Sequence, residues 1–230
     1  MTPPHFSVVL PVYNQADHIE QLVRDYAVAL DAATIDWELV LVPNGCLDDS
    51  AAICRSLAGR EPRIGVVELK QGGWGRAVRA GLSHCNGDVL CYTNSARTTP
   101  EMLTRALSFS ADHPEVVVKA QRKIRDNLRR QTGSLLYNLE CRLLFGLATW
   151  DINGTPKVFP RRYEQLLSLR RQDDLIDAEF VVTCQRYSYP LVELPISLTV
   201  RHGGHSTTRW RSALRMYRGA LGLSREWRER

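Results

Sequence analysis

A glycine-rich segment in the first half of the chain has the residue types that bind anions. Residues 71–81 (QGGWGRAVRAG) contain four glycines and lead into a helical pattern. Backbone amides and the positive end of a helix dipole would both face this loop, and either can hold a phosphate group. The loop lacks the lysine of a Walker loop and the spacing of a dinucleotide-binding loop, so a tight strand-to-helix turn is the alternative interpretation.

Two carboxylates form a second candidate for chemistry. Asp177 and Glu179 lie two residues apart within residues 174–180 (DLIDAEF). On a strand they would share one face, and on a loop either could reach a site. One of them could act as a general base towards a hydroxyl group, whereas an acceptor that is already anionic needs less help.

The elements that must position these residues alternate between apolar, β-branched runs and helical periods. Strands are predicted at residues 6–12, 37–42, 64–69 and 88–92, each with a turn and a helix after it. This alternation is typical of βαβ units, so we predict an α/β sandwich on a mostly parallel sheet. A ligand site would lie at the carboxyl ends of the strands. The loops concerned begin at Pro11, Pro43, Gly72 and Thr93.

The second half of the chain is less regular. Further strands are predicted near residues 116–120, 158–159 and 191–200, with a basic segment and a long amphipathic helix after the first of them. A basic tail ends the chain, and it has one apolar helical stripe that could lie in a membrane interface or pack on the domain. The stripe consists of Trp210, Leu214, Tyr217 and Leu221.

The composition excludes several classes of protein. The 230 residues are 44% hydrophobic and 24% charged, which suits a globular domain and argues against a disordered or fibrous chain. No run reaches the roughly 18 apolar residues that span a bilayer, and the first residues lack the pattern of a signal peptide. The six cysteines are widely spaced, which favours reduced, buried thiols over a disulfide framework or a zinc site. We therefore expect a cytoplasmic protein.

The net charge of +5 and the pI near 9.0 favour anionic partners. Nucleotide phosphates, lipid phosphates and a membrane surface would all suit such a charge. Nucleic acid would also suit it, but charge is the one feature in its favour, and we expect no nucleic-acid partner.

Successive blocks of the sequence together resemble the family 2 glycosyltransferases. The early blocks are VVLPVYNQADHIEQLV, ELVLVPNGCLDDS, GGWGRAVRAGL and NGDVLCYTNSARTTPEM, and the later ones are DINGTPKVFPR, DAEFV and VELPISLTVRHGGHS. The resemblance implies the GT-A fold, a three-layer sandwich with a Rossmann-like sheet, and transfer of a sugar from a nucleotide-diphosphate donor. The later blocks resemble the subgroup that glycosylates polyprenyl or dolichyl phosphate. We assign residues 1–206 to this domain and residues 207–230 to the basic amphipathic tail.

The early blocks imply a set of residues that bind the nucleotide sugar. The set is Pro11, Tyr13, Asn14, Glu20, Asn44, Asp48, Gly73, Arg76, Thr93, Asn94 and Ser95. Asn44 stands where the family has a carboxylate near the base, and an amide can still hydrogen-bond a pyrimidine edge. Asp48 matches the family, and the alternative role for an aspartate before a helix is an N-cap.

The chain departs from the family at the motif that binds a divalent cation. The family usually holds magnesium or manganese with two aspartates, whereas this chain has Thr93, Asn94 and Ser95. Three neutral side chains lack the charged oxygens that these ions prefer, so no protein metal site is predicted. Lysine or arginine could neutralise the leaving diphosphate instead. The candidates, each of which could also be a solvated surface residue, are Arg76, Arg79, Arg97, Lys157 and Arg201.

The later blocks imply the residues around the acceptor. The residues predicted to bind its phosphate are Arg122, Arg125, Arg129 and Lys157, and those predicted to act in catalysis are Asp177, Glu179 and Arg201. Guanidinium groups suit a phosphate, although a basic helix can also simply face solvent.

Three functional hypotheses follow. The first is an inverting sugar transfer to a polyprenyl phosphate or another membrane-associated acceptor, by a cytoplasmic protein that is either free or peripheral at the inner face of the membrane. The second is a catalytically lapsed relative that binds a nucleotide or a lipid phosphate. The third is a nucleic-acid-binding module, and the sequence says nothing of the oligomeric state.

Overall fold

The computed structural model describes residues 5–122, 128–196, 217, 219–225 and 227. The strands are β1 (His5–Val12), β2 (Asp36–Pro43), β3 (Ile64–Val66), β4 (Val89–Tyr92), β5 (Val117–Arg122), β6 (Lys157–Pro160) and β7 (Leu191–Ile196). The helices are α1 (Ile19–Ala32), α2 (Ser50–Ala58), α3 (Trp74–Leu82), α4 (Pro100–Asp112), α5 (Leu128–Phe145) and α6 (Ile176–Arg186), with a short 3₁₀ helix at Glu164–Leu166.

The seven strands form one sheet in the order β3-β2-β1-β4-β6-β5-β7. β6 runs antiparallel to its neighbours β4 and β5, and the other neighbouring pairs are parallel. The carboxyl ends of β1, β2 and β4 therefore meet at one edge of the sheet, and β6 begins at that edge. The mostly parallel α/β sandwich expected from the sequence is confirmed.

Helices cover both faces of the sheet. Successive residues of a strand point to opposite faces, so a single strand contributes side chains to both helix layers. Val8 and Leu10 of β1 are fully buried in the cluster that includes α1 and α4. Val9 between them is fully buried in the other cluster, which includes α3 and α6. Continuous apolar runs such as that of β1 are typical of strands buried on both faces.

Part of the C-terminal tail packs on the domain. Ala220 and Leu223 are buried in the core cluster that contains α6, and a side-chain carbon at Gly219 would lie only 2.2 Å from Leu175 Cδ1. Leu221, which was expected on the apolar stripe, is exposed. Trp210 and Leu214 of the stripe and the boundary at residue 206 lie outside the described residues, so the domain division stays a prediction. None of the described helices is long and apolar enough to cross a membrane.

Glu38 joins three elements at the edge opposite the carboxyl ends of the parallel strands. Its carboxylate accepts hydrogen bonds from Ser7 Oγ at 2.5 Å and from the backbone N–H and side-chain amide of Asn86 at 2.6 and 3.2 Å. Partial burial acts to raise the pKa of Glu38, but these hydrogen bonds outweigh it and the pKa is lowered.

A folded-state pKa below the unfolded one adds stability above the unfolded pKa, and this stability is lost as the pH falls through the folded pKa. Glu38→Gln is therefore expected to lower the free energy of unfolding by about 1 kcal/mol near neutral pH. The difference should shrink as the pH falls below the ordinary value of 4.5. Urea titrations over a pH series measure it, and a loss that stays constant with pH would contradict the assignment.

Candidate functional site

The loops after β1 and β2 are tied to each other at the carboxyl edge of the sheet. Gln15 N–H donates to Ser50 Oγ at 2.7 Å, and Leu47 N–H donates to Asn14 Oδ1 at 2.8 Å. Asn14 has a φ of 49°, in the left-handed region that asparagine tolerates better than most residues. The two loops are therefore held against each other at this edge.

The predicted donor-site residues in and after the loop that follows β1 differ in accessibility. Pro11 is buried, whereas the Tyr13 ring is 39% exposed beside Gly72. Glu20 lies in the first turn of α1 and forms ion pairs with Arg24 at 2.5 Å and Arg60 at 3.4 Å. Tyr13 thus offers an exposed aromatic ring, whereas the 43% exposed Glu20 side chain is paired with arginines.

Asp48, in the loop after β2, bonds both the loop after β1 and the start of α2. Its carboxylate accepts hydrogen bonds from Ala16 N–H at 3.0 Å, Ser50 N–H at 3.1 Å and Ser50 Oγ at 2.5 Å. Partial burial acts to raise the pKa of Asp48, but the hydrogen bonds outweigh it and lower the pKa. Asp48 precedes Asp49, the N-cap residue of α2, so its contact with Ser50 at the start of this helix is cap-like without Asp48 being the N-cap itself.

The side-chain amide of Asn44 is used within the protein. Its Nδ2 donates to the carbonyl oxygens of Val12 at 2.8 Å and Val42 at 3.1 Å, and its Oδ1 accepts from Gly73 N–H at 3.1 Å. Asn44 is also buried and forms an isolated parallel bridge with Leu69. It therefore joins the ends of β1 and β2 to the glycine-rich loop.

The glycine-rich loop packs against the segment that precedes α6. Arg76 N–H donates to the carbonyl of Gln172 at 2.9 Å, and a side-chain carbon at Gly75 would lie 2.6 Å from the carbonyl oxygens of Arg171 and Asp173. Gly73 has a φ of 153° and its N–H is bonded to Asn44. Two amides of the loop, those of Gly73 and Arg76, are therefore paired within the chain, which fits a strand-to-helix turn.

The Arg76 side chain is held at the rim of the same loop. Its guanidinium donates to Gln71 Oε1 at 2.7 Å, Gln172 Oε1 at 3.0 Å and the Gly72 carbonyl at 3.4 Å. These three acceptors are uncharged, so they orient the guanidinium without cancelling its charge. Arg79, one turn along α3, donates to the Arg170 carbonyl at 3.2 Å.

The segment after β4 is a hydrogen-bonded turn. Thr93 Oγ1 lies 2.6 Å from Thr98 Oγ1, and Asn94 Oδ1 accepts from Ala96 N–H at 2.9 Å. The Ser95 hydroxyl lies 3.0 Å from the Pro11 carbonyl oxygen and 2.5 Å from Gln15 Oε1. Thr93 and Ser95 are both buried, so their oxygens stabilise the turn rather than face solvent.

These residues do not fit a divalent cation. Magnesium and manganese prefer charged oxygen ligands, and the oxygens of this turn are neutral and already paired. Across the described part of the chain, no group of three or more His, Cys, Asp or Glu side chains is arranged to hold a metal ion.

Asp177 is the centre of a buried cluster at the edge where β4 ends and β6 begins. Its Oδ1 accepts from the Lys157 ammonium and from the Tyr92 hydroxyl, the latter at 3.0 Å, and its Oδ2 accepts from Trp74 Nε1 at 3.0 Å. Asp177 is 4% exposed and Lys157 is fully buried. Three of the roughly four acceptor positions of this carboxylate are therefore occupied.

Burial has the largest effect on the pKa values of Lys157 and Tyr92 in this cluster. Desolvation lowers the pKa of Lys157, and the adjacent negative charge of Asp177 opposes that shift. Desolvation and the same charge raise the pKa of Tyr92 well above its usual range. Tyr92 therefore stays a neutral hydrogen-bond donor.

Glu179 serves a different contact from Asp177. Both residues lie in the first turn of α6, where a spacing of two residues turns the side chains about 200° apart. The expectation that this segment is a strand or loop is wrong: it is buried on all sides and forms a helix. Glu179 accepts from Arg170 N–H at 3.0 Å and Arg171 N–H at 2.8 Å, so it anchors the segment that packs on the glycine-rich loop.

Several predicted acceptor-side residues cannot be placed. Arg125 and Arg201 lie outside the described residues. For Arg122 in β5 and Arg129 in α5 the backbone is described and the side chains are not. Their roles stay predictions.

Sequence reasoning missed four residues that complete the buried charge cluster or extend it. Trp74 and Tyr92 bond Asp177, while the fully buried Lys119 pairs with Glu193 Oε1 at 2.7 Å and donates to backbone carbonyls. One signal was available, because a lysine inside an apolar strand must find a buried partner. Its particular partner is set by the sheet register and could not be read from the sequence.

Comparison with known proteins defines the class of this protein. The model of glycosyl transferase family 2 matches residues 7–167, and the chain belongs to this family. It is similar to the undecaprenyl-phosphate 4-deoxy-4-formamido-L-arabinose transferases of Pseudomonas fluorescens (strain Pf0-1) and Klebsiella pneumoniae, at 26% identity to each over 204 residues. The match covers 87% of this chain and 59% and 61% of those proteins, so the chain spans about three fifths of their length.

A solved structure shows the same fold. Glucosyl-3-phosphoglycerate synthase from Mycobacterium tuberculosis, in complex with Mn²⁺, UDP and glucosyl-3-phosphoglycerate, is 18% identical with a TM-score of 0.71. The superposition covers 95% of this chain and 77% of the synthase. The GT-A arrangement expected from the sequence is confirmed.

Proposed function

We propose that this protein transfers a sugar from a nucleotide-diphosphate donor to a polyprenyl phosphate at the membrane surface. Family membership and relatives that are named for undecaprenyl phosphate support this class of donor and acceptor. The donor would lie at the carboxyl edge of β1, β2 and β4, with its base beside the open ring of Tyr13.

One observation favours a phosphate acceptor over a hydroxyl acceptor. Asp177 and Glu179, the predicted catalytic carboxylates, are both buried and already accept several hydrogen bonds from the protein. A hydroxyl acceptor needs a base that can take its proton, whereas a phosphate oxygen is already anionic. The arrangement therefore suits an acceptor that requires no proton transfer.

The chemistry of such a step balances without an acid or a base. A phosphate oxygen forms a bond to the anomeric carbon while the bond from that carbon to the diphosphate oxygen breaks. The nucleoside diphosphate leaves with the electron pair, and the configuration inverts, as the resemblance to the family implies. Positive charge near the leaving group would stabilise the transition state, and Arg76 beside the glycine-rich loop is a candidate to supply it.

We infer that this chain does not hold a divalent cation with a pair of aspartates after β4, as the family usually does. The mycobacterial synthase structures contain Mn²⁺ or Mg²⁺ with UDP. Here the aligned turn carries neutral oxygens that bond Thr98, Ala96 and Pro11. Any requirement for a cation would then come from the substrate phosphates rather than from protein ligands.

The outer face of α5 supports a position at the membrane. Four of its leucines are exposed, namely Leu135, Leu136, Leu139 and Leu143. A basic segment precedes the helix, and apolar residues next to basic ones suit the interface of an anionic bilayer. The predicted phosphate-binding residues Arg122, Arg125 and Arg129 belong to the same part of the chain.

The proposal is tested with purified protein, UDP-, GDP- and CDP-sugars, and undecaprenyl phosphate in anionic vesicles, each with and without EDTA. We expect a lipid-linked sugar from at least one donor, in an amount that EDTA leaves largely unchanged. Phosphoglyceric acid serves as the alternative acceptor. If product forms from phosphoglyceric acid alone, the proposal of a lipid acceptor is wrong. If the protein neither binds nor turns over any of the donors, the transferase assignment is wrong.

A second candidate function is binding without transfer. It is favoured by the neutral, internally paired side chains of Thr93 and Ser95, which leave this turn without the carboxylates that would hold a cation against the diphosphate during transfer. Calorimetry that shows nucleotide binding, together with mass spectrometry that shows no product from any acceptor, would support this second function.

A further inference from the structure

Trp74 lies at the carboxyl edge of β1, β2 and β4, next to the buried cluster around Asp177. It is the first residue of α3, directly after Gly73, and it is only partly buried. Its indole N–H donates to Asp177 Oδ2 at 3.0 Å, and its ring meets the Tyr92 ring edge-on at 6.2 Å with an interplanar angle of 65°. These two contacts fix the orientation of the indole ring.

The part of Trp74 that remains accessible is apolar. The nitrogen is the one polar atom of the indole side chain, and it is already bonded to a buried carboxylate. The accessible surface therefore consists of ring carbon. A sugar ring has one face made of C–H groups, which can pack on an aromatic ring while its hydroxyls bond elsewhere.

One aromatic ring packs beside the glycine-rich loop and another belongs to it. The Tyr13 ring approaches Gly72, since a side-chain carbon there would lie 3.6 Å from Tyr13 Cε2. Trp74 lies two residues further along, against Tyr92 at the end of β4. A nucleotide sugar that crosses this loop with its base at Tyr13 would bring its sugar to Trp74.

We propose that Trp74 is a specificity-determining residue on which the donor sugar stacks. This inference rests on the proposed function, because it requires a nucleotide-sugar donor at this edge. The indole contacts the sugar and not the nucleotide, so it contributes to the affinity for a nucleotide sugar and leaves the affinity for the nucleoside diphosphate unchanged.

The test compares two ligands on each variant by calorimetry: UDP-glucose against UDP, and GDP-mannose against GDP. Trp74→Ala is expected to weaken binding of the nucleotide sugar about tenfold while the affinity for the nucleoside diphosphate stays within about twofold. Trp74→Phe keeps an aromatic ring and should show a smaller loss, which maintains the test if the alanine variant folds poorly.

Trp37→Phe is the matched control. Trp37 also donates its indole N–H to an aspartate, Asp31 Oδ1 at 2.9 Å, but it lies near the start of β2 at the opposite edge of the sheet. This variant should leave the ratio of the two affinities unchanged.

The outcomes separate this inference from the proposed function. Unchanged binding of both ligands by Trp74→Ala, or an equal loss for both, overturns the sugar contact while the donor site stands. If the unsubstituted protein binds neither pair of ligands, the donor site itself is overturned, and the sugar contact with it.

Discussion

Lys157→Met is expected to lower the free energy of unfolding by about 3–5 kcal/mol, because it leaves the Asp177 carboxylate buried without its cation. Tyr92 and Trp74 would still donate to that carboxylate, but two neutral donors do not replace an ammonium group. Urea denaturation monitored by circular dichroism measures the loss. A fall of less than about 1 kcal/mol would show that the pair is not buried as described.

Two further variants sharpen the Lys157 experiment. Lys157→Met combined with Asp177→Leu removes both charges and should recover much of the loss, since an apolar pair of similar volume can replace a buried ion pair. Arg24→Met removes the cation of an exposed pair with Glu20 and should cost less than about 1 kcal/mol. A double variant that is as unstable as the single one would argue against charge as the cause.

Ser95→Asp is expected to destabilise the protein by at least about 3 kcal/mol and to create no metal site. Ser95 is 1% exposed and its hydroxyl faces the Pro11 carbonyl and Gln15 Oε1. Gln15 can turn its amide nitrogen towards a carboxylate, but the Pro11 carbonyl offers no donor. The new charge would therefore be buried against an oxygen.

Thermal unfolding with and without Mn²⁺ measures both parts of the Ser95 prediction. Ser95→Ala is the control, and it should cost about 1 kcal/mol through loss of a hydrogen bond. If Mn²⁺ raised the melting temperature of Ser95→Asp and left that of Ser95→Ala unchanged, the turn would be a latent metal site and our description of it would be wrong.

Local sequence predicted the elements of the fold because their signals lie within a few residues. The apolar run of β1 and the helix after it were both confirmed, as was a sheet with its loops at one edge. Boundaries were less certain: β3 ends at Val66, since Leu69 pairs with Asn44 only as an isolated bridge.

The partners within the site could not be predicted, because they are set by tertiary contacts. Trp74 and Asp177 are 103 residues apart in the chain, and Asn44 and Gly73 are 29 apart. The spacing of Asp177 and Glu179 suggested a shared face, whereas the helix directs them to different partners. The assignments of Arg122, Arg125, Arg129 and Arg201 stay predictions.

The reversed direction of β6 has a consequence for the rigidity of the site. The parallel strands β1, β2 and β4 reach this edge of the sheet with their last residues and continue into loops. In contrast, β6 reaches it with its first residue, Lys157. In the sheet register Lys157 lies opposite Tyr92 on one side and Lys119 on the other, and Lys119 lies opposite Glu193. Buried polar side chains thus link four adjacent strands, and this edge of the sheet rests on fixed strands in place of a movable loop.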